Sequence, residues 1–105
     1  MSIVWSATAL DQLDDIYSVI TGECGAPVAG KWFLKICDAV DRLADFPLAG
    51  PEIPECAFAD HFTSLKHLRQ LVVAPYRVIY EVAGKSCNIL GVMRESRLIS
   101  GLGEA

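Results

Sequence analysis

Apolar positions recur along this chain with two periods, and the change from one to the other marks the elements. Residues 2–5, Ser-Ile-Val-Trp, are β-branched and aromatic and read as a strand. From residue 7 to residue 20 the period lengthens. Leu10, Leu13, Tyr17 and Ile20 fall three and four apart, which predicts one apolar helix face with Asp11, Asp14 and Asp15 on the other side. Ser6 stands where its hydroxyl can accept a first-turn N–H. Residues 21–27 hold two glycines and a proline and predict a turn. A second helix is expected over residues 28–45, with Phe33, Ile36, Val40 and Leu43 as its buried stripe. Lys31, Lys35, Asp38, Asp41, Arg42 and Asp45 lie mostly on its exposed side. The short connection makes the two helices a hairpin, and Pro47 ends the second.

Residues 47–63 read as a long loop, because Pro47, Gly50, Pro51 and Pro54 interrupt any regular pattern. Phe58 and Phe62 are expected to pin it to the body. The period then shortens to two. Residues 68–73 form a strand, Ala74-Pro75 a turn, and residues 76–82 a second strand. In that second strand Arg77, Ile79 and Glu81 share one face, and Tyr76, Val78, Tyr80 and Val82 the other. After Ala83-Gly84-Lys85, residues 86–93 make the last strand, followed by a weakly patterned tail. The expected fold is α+β, β-α-α-β-β-β, as one domain over residues 1–105. A mainly antiparallel sheet packs one face on the N-terminal helix hairpin and leaves the other concave or open.

Composition narrows the classes. With 52 % apolar residues the chain can build a core, and no apolar run approaches the roughly 20 residues that span a bilayer. The first residues have no basic segment followed by an apolar one, so neither a leader nor a membrane anchor is expected, and the location is cytoplasmic. Cys24, Cys37, Cys56 and Cys87 are scattered, and His61 and His67 stand apart from them, so no metal-ligand spacing exists and no cofactor is expected. Net charge is −4, but unevenly spread. Residues 1–60 carry ten acids and three bases, residues 61–105 six bases and three acids. That polarity points either to a partner or substrate met by the C-terminal half, or to helices that tolerate acids on solvated faces where strands do not.

Several pieces, taken in order, carry a resemblance. Trp5 closes the first strand, and Leu13-Asp14-Asp15-Ile16-Tyr17 sits on the first helix. Leu43-Ala44-Asp45-Phe46-Pro47-Leu48-Ala49-Gly50 ends the second. Leu68-Arg69-Gln70-Leu71, Tyr76-Arg77-Val78-Ile79-Tyr80 and Val92-Met93-Arg94-Glu95-Ser96-Arg97 follow. Jointly they resemble the RelE/ParE superfamily, the toxin half of type II toxin–antitoxin modules. The resemblance implies a cognate antitoxin as partner, ParD-like or related. It also implies one of two activities. RelE-like members cut ribosome-bound mRNA, with cations stabilising the phosphorane. ParE-like members instead poison DNA gyrase.

Residue by residue, Arg77 matches the strand arginine that RelE-like enzymes hold near the scissile phosphate, and Arg94 and Arg97 match the basic cluster after the last strand. The paired lysines of the RNA-cutting branch are absent, with Leu68 and Gln70 in their place, and no Tyr follows Arg97. A pI near 5.0 also argues against direct nucleic-acid binding, which usually goes with a pI above about 9. The expectation is therefore a ParE-like, non-hydrolytic inhibitor of DNA gyrase. The alternative is a RelE-like mRNA endonuclease using Arg77, Arg94 and Arg97. Arg69, Arg77, Arg94 and Arg97 are the candidate target- or antitoxin-binding residues. Tyr80 is expected to be a core aromatic with a satisfied hydroxyl, Tyr17 and Trp32 to be packing residues, and the two histidines to lie at the surface or anchor the loop.

Overall fold

The computed structural model describes residues 1–53 and 68–96. The expectations for Cys56, Phe58, His61, Phe62, His67, Arg97 and the tail lie outside the described residues. Strand β1 spans Ser2–Trp5, helix α1 Ala7–Cys24, helix α2 Ala26–Asp41, and a 3₁₀ turn follows at Arg42–Ala44. Strands β2, β3 and β4 span Arg69–Val73, Tyr76–Ala83 and Ser86–Arg94. The expected order of elements holds.

The sheet order is β1-β4-β3-β2. β2, β3 and β4 form an antiparallel meander, and β1 returns to pair with β4 in parallel, Ser2 opposite Ser86 through Trp5 opposite Ile89. This makes the sheet mixed, with β1 and β2 as its edges. The β2–β3 turn falls at Ala74-Pro75 as expected, with a cis peptide bond.

Local chemistry explains the helix ends. Ser6 Oγ accepts the Ala9 N–H at 3.0 Å, the expected N-cap, and also donates to the Leu90 carbonyl at 3.4 Å. One side chain thus starts α1 and ties it to β4. The expected turn over residues 21–27 contracts to Gly25 alone. Its φ of +91° lies in a region that only glycine enters cheaply, so one residue reverses the chain. Pro27 then fits within the first turn of α2, where its missing N–H costs nothing.

The buried faces of the helices differ from the expected stripes. Leu13, Ile20, Ile36, Val40 and Leu43 are buried as read, but Leu10, Tyr17 and Phe33 are exposed. Ala9 and Ala29, both fully buried, take the places closest to their neighbours. Small residues let backbones approach, and the larger apolar side chains are displaced to the rim. Tyr17 and Phe33 meet there edge to face, with centroids 6.0 Å apart.

The main core lies between the helix hairpin and one sheet face, where Ile36, Val40 and Leu43 meet Val78, Tyr80 and Ile89. Burying each aliphatic side chain contributes about 1.5–3 kcal/mol. The other face carries a smaller cluster of Ile53, Leu68, Ile79 and Met93, with Leu90 at its margin. The face expected to be concave or open thus carries a buried cluster of its own. A bulge between Ile79 and Tyr80 leaves Leu90 without an opposite residue on β3.

Candidate functional site

The arginines that the sequence singled out divide between the two faces of the sheet, and a short tract of chain organises the β2 edge between them. Residues 50–53 run along the outer side of β2. The Ile53 N–H donates to the Leu68 carbonyl at 2.8 Å, the Gln70 N–H donates to the Pro51 carbonyl at 3.1 Å, and Glu52 bridges Arg69 in antiparallel sense. Tyr80 locks the tract from below. Its buried hydroxyl donates to the Pro47 carbonyl at 2.9 Å and accepts the Gly50 N–H at 2.9 Å. Only glycine fits at position 50, since a Cβ there would stand 2.2 Å from the Gln70 carbonyl oxygen and 2.9 Å from the Tyr80 hydroxyl. Tyr80 is thus the satisfied core aromatic expected from the sequence. Burial pushes its pKa above the ordinary tyrosine value, against the smaller opposing pulls of the Gly50 hydrogen bond and Arg69.

Arg69 is a clamp on the same tract. Its guanidinium donates to the Gly50 carbonyl at 2.8 Å and lies 3.5 Å from the Glu52 carboxylate. Arg77, on the same face as Ile79, donates to the Gln70 side-chain carbonyl at 3.2 Å. Burial lowers its pKa, and the charge of Glu95 opposes the shift. An arginine stays cationic through such a change. Glu81, four residues beyond Arg77, receives a hydrogen bond from the Asn88 side chain at 3.3 Å.

Arg94 lies elsewhere. Cross-strand partners share a face, so Arg77 goes with Met93, whereas Arg94 goes with Tyr76 on the helix side. The Arg94 guanidinium sits 5.6 Å from the centre of the Tyr76 ring, an exposed cation over an aromatic. Tyr76 in turn packs edge to face on Trp32 at 5.6 Å, which gives Trp32 the packing role expected of it. The structure therefore links Arg69 to Arg77 only indirectly, through the 50–53 tract and Gln70, and by strand parity it places Arg69 and Arg94 on the helix side and Arg77 on the other face. Arg97 lies outside the described residues.

Two clefts flank these groups. One, about 450 Å³, opens between α1 and the end of β4 and is lined by Gln12, Asp15, Ile16, Met93, Arg94 and Ser96 among others. Gln12 closes its floor by accepting the Val92 N–H at 2.8 Å. The other, about 470 Å³, runs between α2, the turn after it and β2, and is lined by Lys35, Arg42, Phe46, Ala49, Leu71 and Val72 among others. Sequence reading missed Gln12, Gly50 and this second groove. The sequence marked Pro47, Gly50 and Pro51 only as breakers of a long loop, not as a tract held against β2.

Chemically, these groups bind more readily than they react. Burial raises the Cys37 thiol, helped by Asp41 and Asp38, and it raises the Cys87 thiol too. Neither is an activated nucleophile. The Tyr80 hydroxyl is fully buried and engaged at both lone pair and proton.

The family described as "ParE toxin of type II toxin-antitoxin system, parDE" matches residues 3–99. The chain belongs to the ParE toxin family. A solved structure described as the chromosomal ParDE toxin–antitoxin system from P. aeruginosa superposes with a TM-score of 0.69 at 27 % identity, over 90 % of this chain and 95 % of that one. No curated protein matches at a comparable level. As a ParE member, the chain is the toxin of a type II toxin–antitoxin pair, and the mixed α+β sheet is that of its structural relative. No helix among the described residues is long and apolar enough to cross a membrane.

Proposed function

We propose that this ParE-family chain arrests growth by binding DNA gyrase in the cytoplasm, without hydrolysing RNA, and that a cognate ParD-like antitoxin holds it inactive. The observation that carries this reading is the separation of its cations. A phosphoryl-transfer site needs charges converging on one phosphate, but Arg77 and Arg94 are on opposite faces of the sheet, and Arg69 is committed to Gly50 and Glu52. The acidic balance of the chain, with a pI near 5.0, supports a protein target over an RNA one.

On this reading Arg77 and Arg94 contact the target or the antitoxin, each on its own face, and Arg97 is a further candidate contact. Arg69 acts through the tract it clamps. The test is a supercoiling assay with purified gyrase and the free toxin. Inhibition with accumulation of cleaved DNA is expected. Normal supercoiling at excess toxin would contradict the proposal.

A further inference from the structure

We infer that the outer face of the helix hairpin is a homodimer interface, on which a second copy of this chain packs with two-fold symmetry, α1 of each copy on α2 of the other. The inference goes beyond the reading above and does not depend on which target the toxin meets.

Three observations converge on this face. The first is apolar surface that the fold leaves unused. A groove of about 450 Å³ runs between the two helices, lined by Asp14, Tyr17, Gly30, Phe33 and Leu34. Leu34 is 60 % exposed, Leu10 50 % and Phe33 40 %. Leu10 stands four and seven residues before Asp14 and Tyr17, so it continues the α1 wall of the groove. Apolar side chains gathered on one face mark a contact with another molecule, whereas scattered ones do not.

The second is a notch. Gly30 lies inside α2, away from both ends, where glycine is a poor helix former. Its own fold does not demand it, since a Cβ there would meet nothing within 4 Å. Gly50 is the opposite case. The hole above Gly30, beside Phe33 and Leu34, admits a side chain of the partner's α1, as a knob enters a hole between packed helices.

The third is charge. By helical spacing Asp11, Asp15 and Ser18 form one row on α1, and Lys31, Lys35, Asp38 and Arg42 one row on α2, a net of −2 against +2. The rows follow opposite rims of the hairpin. Asp15 borders the cleft toward β4, and Lys35 and Arg42 the groove toward β2. The charged members are exposed, and among the described residues no ion pair engages them. A partner of a single sign is repelled along one row. A second copy, turned about a two-fold axis parallel to the helices, lays its basic row on this acidic one and its acidic row on this basic one. An axis running across the helices sets α1 on α1, acid on acid, so charge selects the first arrangement. The sheet packs on the other side of the hairpin, so such pairing does not cover the sheet face that carries Arg77.

The test is sedimentation equilibrium of the free toxin, separated from its antitoxin, over a range of concentrations at low and high salt. A reversible dimer is expected. Leu34→Ser and Gly30→Leu should each weaken it at least tenfold, the first by removing apolar contact and the second by filling the notch. Melting curves of the dilute variants, with Gly30→Leu as stable as the wild type or more so, separate dimerisation from folding. Asp15→Lys and Lys35→Asp should each weaken the dimer about tenfold at low salt and less at high salt, and the two together should recover it. Val72→Ser, exposed on β2, should change nothing. A wild-type toxin that stays monomeric throughout would overturn the inference, as would a dimer indifferent to Leu34→Ser and Gly30→Leu. A double charge swap as weak as either single one would refute the two-fold arrangement. A monomeric wild type, with antitoxin or gyrase binding lost in Leu34→Ser, would assign the face to that partner and refute the second copy.

Discussion

The two faces of the sheet are held by different means. On the helix side, Ile36, Val40, Leu43, Val78, Tyr80 and Ile89 are all fully buried and form one continuous core. On the far side, among the described residues, the buried cluster is Ile53, Leu68, Ile79 and Met93, with polar pairs on the same face: Gln70 with Arg77, and Glu81 with Asn88. The first face decides whether the chain folds. The second carries Arg77 and Glu81 around a small cluster, while the tract at the β2 edge is held from the helix side by Tyr80 and Arg69. Tyr80 joins the two, since its ring belongs to the core while its hydroxyl holds Pro47 and Gly50. The thin face thus leans on the thick one.

Truncations should expose that asymmetry. Leu43→Ala opens a cavity in the continuous core and should cost about 4 kcal/mol. Met93→Ala removes a similar volume from the thin cluster, whose surroundings can relax, and should cost about 2 kcal/mol. Equal losses in urea unfolding would erase the distinction between the faces. Gly50→Ala comes next. The new Cβ meets the Gln70 carbonyl at 2.2 Å, and such overpacking costs about 1–3 kcal/mol. Hydrogen exchange should localise the damage to residues 50–53 and β2 and leave α1 and α2 protected.

Tyr80→Phe tests the link between the faces. It strands the buried Gly50 N–H and Pro47 carbonyl, a loss of about 2 kcal/mol. Its pH signature is distinctive. Because the folded pKa of Tyr80 is raised above its ordinary 10.0, its contribution is intact below that value and is lost as pH rises through the higher, folded one. The raised Cys37 and Cys87 thiols add alkaline sensitivity of the same sign. The wild type should lose stability steeply above about pH 10, and the Phe variant less steeply. A parallel decline in both would contradict the assignment. The smallest effect is expected for Glu52→Gln. Its carboxylate is 56 % exposed, and such a pair contributes less than about 1 kcal/mol.

Much of this was legible in the sequence, and the failures have physical causes. The period change at Leu68 marked the strands, and alternation placed Arg77 opposite Tyr76 and Tyr80 correctly. Ser6 declared itself as a cap. The helix stripes were misread at Leu10, Tyr17 and Phe33 because hydropathy rewards large side chains, while close packing at Ala9 and Ala29 rewards small ones. The turn at residues 21–27 was overdrawn because a single positive-φ glycine does the work of several breakers. Parallel pairing of β1 with β4 leaves no local trace. For the site, residue types were readable but their grouping was not. Whether Arg77 and Arg94 converge depends on strand parity across β3 and β4, and the partners of Arg69 and Tyr80 come from a tract more than fifteen residues away. Gly50 and Gln12 matter through contacts that no local pattern encodes.

The claim that the target is gyrase can be put to one measurement. The toxin is induced briefly in cells that lack the antitoxin, and plasmid topology and translated mRNA are followed in the same samples. The account predicts relaxed or linearised plasmid, early, with mRNA intact. Codon-specific mRNA cuts alongside normally supercoiled plasmid would contradict it.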